Sequence, residues 1–326
     1  MLTLNAFSIL HPLRRQLRLV IPLALFFVLW PQVLGSSARA ALVSRPTSLR
    51  LPFVGETKNL DLSLAPSLES LELTSLSAMA VALPSRRIVG VLEPDIVLPL
   101  ASLTKLMTAV TVLESELALD SEVTMSAEDN SQLVRSYTDA GDSISYLRVA
   151  DGAKVKARNL LAACLVGSAN NATAALARAT KLGLPEFVRR MNERAAVLGM
   201  QDTFFVEPTG LDPDNSATAF DVGLLAAYAW QNQLLRQFSG SPEVKFATAT
   251  GQRHTIRNTN PLFRQRLTYK LLASKTGYLE EAGYNLVTEV RTHRGRRYLI
   301  VLMNAPTLDD RSQDLTKVVS WLDKQS

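Results

Sequence analysis

The chain has 326 residues, 47% of them hydrophobic and 20% charged, with 15 Gly and 15 Pro. This ordinary globular composition excludes a collagen-like, a disulfide-scaffold and a wholly disordered chain. A single cysteine, Cys164, excludes an internal disulfide and a cysteine metal cluster, and three histidines, His11, His254 and His293, leave little material for a histidine-rich site.

Residues 1–40 contain Arg14, Arg15, Arg18 and Arg39 and no Lys, Asp or Glu. An apolar run from Leu19 to Trp30, interrupted by Pro22, is followed by small residues ending in Ala38-Arg39-Ala40. A basic flank, a short apolar core and an A-x-A site predict a secretory signal peptide cut after Ala40. The run falls short of the about 20 apolar residues of a membrane span, and an uncleaved anchor is the alternative. Taking those four Arg from a balance of 35 basic and 30 acidic residues leaves a net charge of +1, so the charge does not point to nucleic acid. The expected location is outside the cytoplasm, in the periplasm or cell wall. Cys164 is then expected to be a buried, inert thiol.

Residues 41–74 are rich in Ser, Leu and Pro without a sustained period and read as a linker or N-terminal extension. The main domain is expected over residues 75–326. It opens with two strand-like runs, Ala78 to Leu83 and Arg87 to Leu92, separated by Pro84-Ser85-Arg86, which predict a β-hairpin. From Ser102 a helix is expected, with Leu103, Leu106, Met107, Val110, Leu113 and Leu117 on one apolar face. The middle of the chain reads as helical over Asn159 to Val166, Asn171 to Thr180, Pro185 to Leu198 and Ala219 to Gln237. Strands return at Leu271 to Lys275, Asn285 to Arg291 and Arg297 to Asn304, the last two joined by the turn His293-Arg294-Gly295. Ser312 to Lys324 reads as an amphipathic closing helix. This order predicts an α/β fold: an antiparallel sheet flanked by helices, with an all-α lobe inserted between its early and late strands, and a site in the cleft between them.

Three short segments can carry chemistry. In Ser102-Leu103-Thr104-Lys105, a helical turn would place the hydroxyl and the amine on one face. A Ser hydroxyl needs a base, and a lysine can be one when burial or a nearby cation lowers its pKa. The alternative is a helix N-cap beside a solvated lysine. Ser168-Ala169-Asn170 separates two apolar helical runs; it would expose a hydroxyl and an amide to the cleft, or simply cap a helix. Lys275-Thr276-Gly277 follows Leu271-Leu272-Ala273 and would end a strand with a cation, a hydroxyl and a backbone that a ligand can approach closely. An edge strand guarded by a lysine is the alternative. The three occur in one order, 66 and then 107 residues apart, each on the element its chemistry needs. Together they resemble the motif set of penicillin-binding proteins and serine β-lactamases.

The chain resembles the low-molecular-weight penicillin-binding proteins, the D-alanyl-D-alanine carboxypeptidase and endopeptidase family, over roughly residues 75–325. Pro99 to Ala109 is similar to the family's nucleophile segment. Met191-Asn192, Leu198-Gly199-Met200 and Glu207-Pro208-Thr209-Gly210-Leu211 are similar to its middle segment. Ser274-Lys275-Thr276-Gly277-Tyr278 with Glu281-Ala282-Gly283 resembles the endopeptidase branch, which cuts D-alanyl cross-links between peptidoglycan stem peptides. The resemblance implies the serine β-lactamase/DD-peptidase-like fold and an acyl-enzyme on Ser102. It further implies Lys105 as general base, Ser168 as proton relay to the leaving amine, and Asn170 as the group orienting Lys105 and the substrate amide. Lys275 would supply positive field, Thr276 would bind a substrate carboxylate beside Gly277, and the backbone N–H groups of Ser102 and Tyr278 would form the oxyanion hole. It implies peptidoglycan stem peptides as substrate, β-lactams as covalent inhibitors, and no metal or organic cofactor. With the sequence ending shortly after Trp321, no C-terminal membrane anchor is expected.

Three other functions remain open at this point. Cleavage could be that of a carboxypeptidase. A serine β-lactamase would need a Glu to activate water, and Glu207 is a candidate, although Pro208-Thr209-Gly210 does not match the Glu-x-x-Leu-Asn pattern of those enzymes. A non-catalytic wall-binding protein would keep the fold without the chemistry. A Ser-His-Asp site would have to use His254 or His293, both expected at the surface. Arg291, Arg294, Arg296 and Arg297 cluster at a hairpin tip and read as a solvated face.

Overall fold

The hairpin expected near the start of the domain forms. In a computed structural model that describes residues 64–130 and 145–325, β1 (Ser77–Leu83) pairs antiparallel with β2 (Arg87–Leu92). The signal peptide expected over 1–40 and the first part of the expected extension, to residue 63, lie outside the described residues. Residues 64–74, which read as extension, pack as part of the domain. Ser67 bridges to Val91, and Leu68 is fully buried against the sheet. Gly90 is what admits it, since a Cβ there would lie 2.5 Å from Leu68 Cδ2. The described residues all fall within one unit, Thr47–Ser326.

After β2 come the short β3 (Leu98–Pro99), one 3-10 turn (Ala101–Leu103) and helix α1 (Thr104–Leu113). Then follow β4 (Glu122–Thr124), β5 (Lys154–Lys156), α2 (Ala157–Val166), α3 (Asn170–Ala179), α4 (Leu184–Leu198) and β6 (Ser216–Ala217). Helices α5 (Ala219–Ala229) and α6 (Gln233–Ser239) precede β7 (Glu243–Ala247) and β8 (Arg253–Arg257). The chain closes with β9 (Lys270–Leu279), β10 (Gly283–Arg291), β11 (Arg297–Ala305) and α7 (Leu308–Lys324).

One five-stranded antiparallel sheet, in the order β2-β1-β11-β10-β9, organises the rest. Period-2 alternation sends its side chains to two cores. Ala78 and Ala80 of β1 face the same side as their partners Leu302 and Ile300 of β11, where Leu315, Val318, Val319 and Leu322 of α7 cover them. Met79 and Val81, with Val301 and Leu299, face the helical lobe and join its larger core. Each of the Val, Leu, Ile and Met side chains so taken from water contributes roughly 1.5–3 kcal/mol, and the alanines less. The helix-flanked antiparallel sheet with a lobe inserted between its early and late strands therefore stands as expected, but the lobe is not all-α, since it carries the two-stranded pairs β4–β5 and β7–β8. Among the described residues no helix is long and apolar enough to cross a membrane.

Three local expectations change. The single helix expected over Ala219 to Gln237 is two, because Asn232 leaves helical geometry and its side chain accepts from the N–H groups of Leu234 and Leu235, capping α6. The closing helix starts earlier, at Leu308, where Thr307 caps it by accepting from Asp310 N. The stretch around His254 forms the hairpin β7–β8, whose alternating Val244, Phe246 and Ile256 pack against the lobe.

Candidate active site

Ser102 does not open an α-helix. It sits in the middle of the 3-10 turn that leads directly into α1, where residues three apart nearly eclipse. This brings Lys105 Nζ to 2.8 Å from Ser102 Oγ. The turn is unusual in its backbone. Ala101 holds φ 47°, a left-handed conformation that side chains rarely adopt. Two contacts clamp it. Gly210, itself at φ 77°, lies so close to the Ala101 carbonyl that no side chain fits between them. On the other side, Gly277 of β9 presses against the turn, and a Cβ there would lie 2.8 Å from Leu100 O and 3.1 Å from Ser102 N. The glycine thus serves the approach of strand to nucleophile turn. Nor does β9 end at Lys275-Thr276-Gly277; it continues to Leu279 as the sheet's edge strand.

Lys105 is fully buried. Its amine reaches three acceptors: Ser102 Oγ, Asn170 Oδ1 at 2.7 Å, and the main-chain carbonyl of Thr209. Asn170 is the first residue of α3, two residues after the left-handed Ser168 (φ 56°) that turns the chain between α2 and α3. Lys275, also buried, forms the second group. Its Nζ donates to Ser168 Oγ at 2.9 Å and to the Thr276 carbonyl at 2.7 Å, and Thr276 Oγ1 lies 2.7 Å from Thr259 Oγ1. The two groups face one cleft of about 360 Å³, lined by Ser102, Ser168, Asn170, Thr276, Gly277 and Tyr278. The Tyr278 ring is partly exposed and lies 4.3 Å, centroid to centroid, from that of Tyr284.

Burial sets the electrostatics. It lowers Lys105 from its ordinary 10.5 to about 8. It lowers Lys275 well below the same value, with repulsion from Lys105 and Arg311 acting in the same direction. Two buried amines that repel each other do not both stay protonated with ease, so neutral amine is accessible near neutral pH. Burial pushes the Cys164 thiol up, which keeps it protonated and unreactive. A serine hydroxyl beside an amine lowered to about 8, with a second buried amine in the same site, is equipped for nucleophilic attack on a carbonyl.

The remaining sequence candidates separate from this site. Glu207 does not line the cleft. Its carboxylate is consumed, accepting from Thr209 N, Thr209 Oγ1, Gly210 N, Leu211 N and Asn215 Nδ2. It is therefore not free to activate a water. His254 lies in β8 with its ring 5.4 Å from that of Phe246, and His293 is exposed in the β10–β11 turn. A larger groove of about 520 Å³, beside Trp230 and Leu299, holds Glu289 clamped by Arg236 at 2.7 Å and Arg297 at 2.6 Å. It contains no nucleophile paired with a base.

Two functional groups escaped the sequence reading. The Thr209 carbonyl is one, since a main-chain acceptor has no residue signature. Arg311 is the other. It lines the cleft from the first turn of α7, is 2% exposed, and among the described residues its Nε and Nη2 have no hydrogen-bond partner. Its Nη1 donates to Asn285 O at 3.3 Å, and burial lowers it to about 10. The helix was expected to begin at Ser312, one residue too late to include it.

Residues 64–307 match the model of the D-alanyl-D-alanine carboxypeptidase family. A D-alanyl-D-alanine endopeptidase of Pseudomonas aeruginosa is 35% identical over 77% of this chain and 78% of the relative. One of Escherichia coli is 31% identical over 87% and 88%. Among solved structures, a Streptomyces DD-transpeptidase superposes with a TM-score of 0.68 at 26% identity, covering 76% of this chain and 97% of the other. A D-alanyl-D-alanine carboxypeptidase of Mycobacterium tuberculosis superposes with a TM-score of 0.63 at 26% identity, covering 83% and 93%.

Proposed function

The chain belongs to the D-alanyl-D-alanine carboxypeptidase family, and we propose that it is a serine DD-peptidase that cuts D-alanyl cross-links of peptidoglycan through an acyl-enzyme on Ser102. The observation that carries this reading is the 2.8 Å hydrogen bond between Lys105 Nζ and Ser102 Oγ inside a buried site. The endopeptidase preference follows the names of the more similar relatives.

In the proposed acylation, neutral Lys105 takes the hydroxyl proton as Ser102 Oγ bonds to the carbonyl carbon of D-alanine. The backbone N–H groups of Ser102 and Tyr278 hold the resulting oxyanion. Asn170 orients Lys105 and the substrate amide. The C–N bond then breaks. Ser168 gives the leaving amine a proton and takes one from Lys275, whose Nζ stands 2.9 Å away. The proton held by Lys105 re-equilibrates with Lys275, which restores both amines. Water repeats the sequence in reverse: Lys105 takes its proton as it attacks the ester, and returns it to Ser102 Oγ. Thr276 and Arg311 offer a hydroxyl and an unshared cation to a substrate carboxylate. The clamped Glu207 argues for slow deacylation of a β-lactam, as in a penicillin-binding protein, rather than β-lactamase turnover. Export to the periplasm or cell wall, with the leader removed after Ala40, completes the reading, and N-terminal sequencing of the mature protein checks it.

Incubation with purified cross-linked muropeptide dimers tests the bond cut. Conversion of dimers to monomers, lost in Ser102→Ala, is expected. Release of D-alanine from pentapeptides alone would make the protein a carboxypeptidase, and no product from either would contradict peptidase function.

A further inference from the structure

The middle segment Glu207 to Leu211 lends Gly210 and Leu211 to the cleft wall, and behind that wall it contacts the base. Lys105 Nζ donates to the Thr209 carbonyl, and Thr108 Oγ1, one turn further along α1, donates to the Pro208 carbonyl at 2.5 Å. These carbonyls belong to a tight loop whose N–H groups point the other way. Thr209 N reaches Glu207 Oε2 at 2.5 Å, Gly210 N and Leu211 N reach Oε1, and Asn215 Nδ2 reaches Oε1 at 2.6 Å. One carboxylate therefore gathers three successive backbone donors. Their carbonyl partners are left facing α1.

The hydrogen-bond inventory of Lys105 gives this a chemical meaning. A neutral amine has two N–H donors and one lone pair. Two carbonyl oxygens, Asn170 Oδ1 and Thr209 O, are available to take the two donors. The third direction is Ser102 Oγ at 2.8 Å. With both carbonyls in place, the lone pair has only the serine hydroxyl to face. If the Thr209 carbonyl moves away, the amine can rotate an N–H onto Ser102 and present no lone pair to it.

We propose that Glu207 is a positioning residue for acylation: by gathering the amides of residues 209–211 it fixes the Thr209 carbonyl on Lys105 and so aims the lone pair of that amine at Ser102 Oγ. This rests on the reading of Lys105 as base. A second effect has the same origin. The negative charge of Glu207 favours protonated Lys105 and so opposes the lowering by burial. The other titratable groups facing Lys105 are Lys275 from β9 and Cys164 from α2. Asp212, whose N–H also points to Glu207, and the neutral Thr209 and Asn215 complete the surroundings of the carboxylate.

The test is the pH dependence of acylation by benzylpenicillin in three proteins: wild type, Glu207→Gln and Glu207→Asp. Glu207→Gln replaces an acceptor with a donor and removes the charge. It should lower the maximal rate at least tenfold and move the rising limb to lower pH. Glu207→Asp keeps the charge but is too short to span the loop. It should lower the maximal rate at least tenfold and leave the rising limb in place. A purely structural role would reduce the fraction of protein that acylates and the melting temperature, while the maximal rate per competent site and the rising limb stay as in wild type; that result overturns the inference. Should Glu207→Gln not fold, Glu207→Asp decides alone, and a maximal rate within twofold of wild type overturns it. Wild type that is never acylated would instead overturn the DD-peptidase reading itself.

Discussion

Lys275 Nζ hydrogen-bonds Ser168 Oγ at 2.9 Å, joining the edge strand of the sheet to the turn between two helices of the inserted lobe. This bond links the two lobes beside the cleft. It places the second buried amine next to the hydroxyl assigned to the leaving group. The site is thus assembled from both lobes, and its function depends on residues that hold them in register.

The first prediction concerns the base. Lys105→Met keeps the side-chain volume and removes the amine. Acylation by benzylpenicillin should fall by about 10²–10⁴-fold, the range that a lost general base costs. A stopped-flow or quench measurement of the acylation rate checks it, with the melting temperature confirming that the variant is folded.

The second concerns pH. Lys105 acts deprotonated and is lowered to about 8. Acylation should therefore rise with pH through about 8 and fall again where Lys275, the proton source for the leaving amine, loses its proton. The same shift affects stability. The folded pKa lies below the ordinary 10.5, so the unfolded chain binds more protons between these values. Resistance to unfolding from Lys105 should then increase as pH rises across that window. Urea titrations at several pH values, compared with Lys105→Met, isolate the contribution; the variant should show a shallower rise.

The third concerns Gly277. Gly277→Ala places a Cβ 2.8 Å from Leu100 O and 3.1 Å from Ser102 N. Neither neighbour is a flexible side chain, so β9 and the nucleophile turn must separate. The acylation rate should fall at least tenfold, measured alongside thermal unfolding to show that the loss exceeds any change in folded fraction.

The fourth concerns stability away from the cleft. Asp314 of α7 is fully buried and accepts from the N–H and hydroxyl groups of Thr74 and Ser75 at 2.7 to 3.1 Å. This ties the segment before β1 to the closing helix. Asp314→Ala leaves those donors unsatisfied and should cost about 3 kcal/mol, since hydrogen bonds to charged groups contribute roughly 1.5–3 kcal/mol each and unmet donors add to the loss. Denaturant unfolding measures it. Acylation of the folded fraction should be unchanged.

Much of this was legible in the sequence because the signals are local. The hairpin of β1 and β2 announced itself through two apolar runs around Pro84-Ser85-Arg86, and the three motifs through their order and the elements carrying them. What was not legible is long-range or lies in the backbone. Ser102 reads as a helix start, but the 3-10 turn depends on the left-handed Ala101, which Gly210 and Gly277 clamp from distant parts of the chain. Residues 64–74 read as a linker because their anchors, Val91 and Asp314, are remote in sequence. Glu207 could be named as a carboxylate, but its consumption by neighbouring amides appears only once the loop is folded. The hairpin of β7 and β8 leaves only a weak signal, because its alternation spans five residues per strand amid polar neighbours.

Intact-protein mass spectrometry with excess benzylpenicillin, followed over time, tests the central claim most directly. A one-to-one adduct that maps to Ser102, persists, and is missing from Ser102→Ala is the expected result. Absence of any adduct, or a transient adduct with rapid consumption of the penicillin, would contradict it.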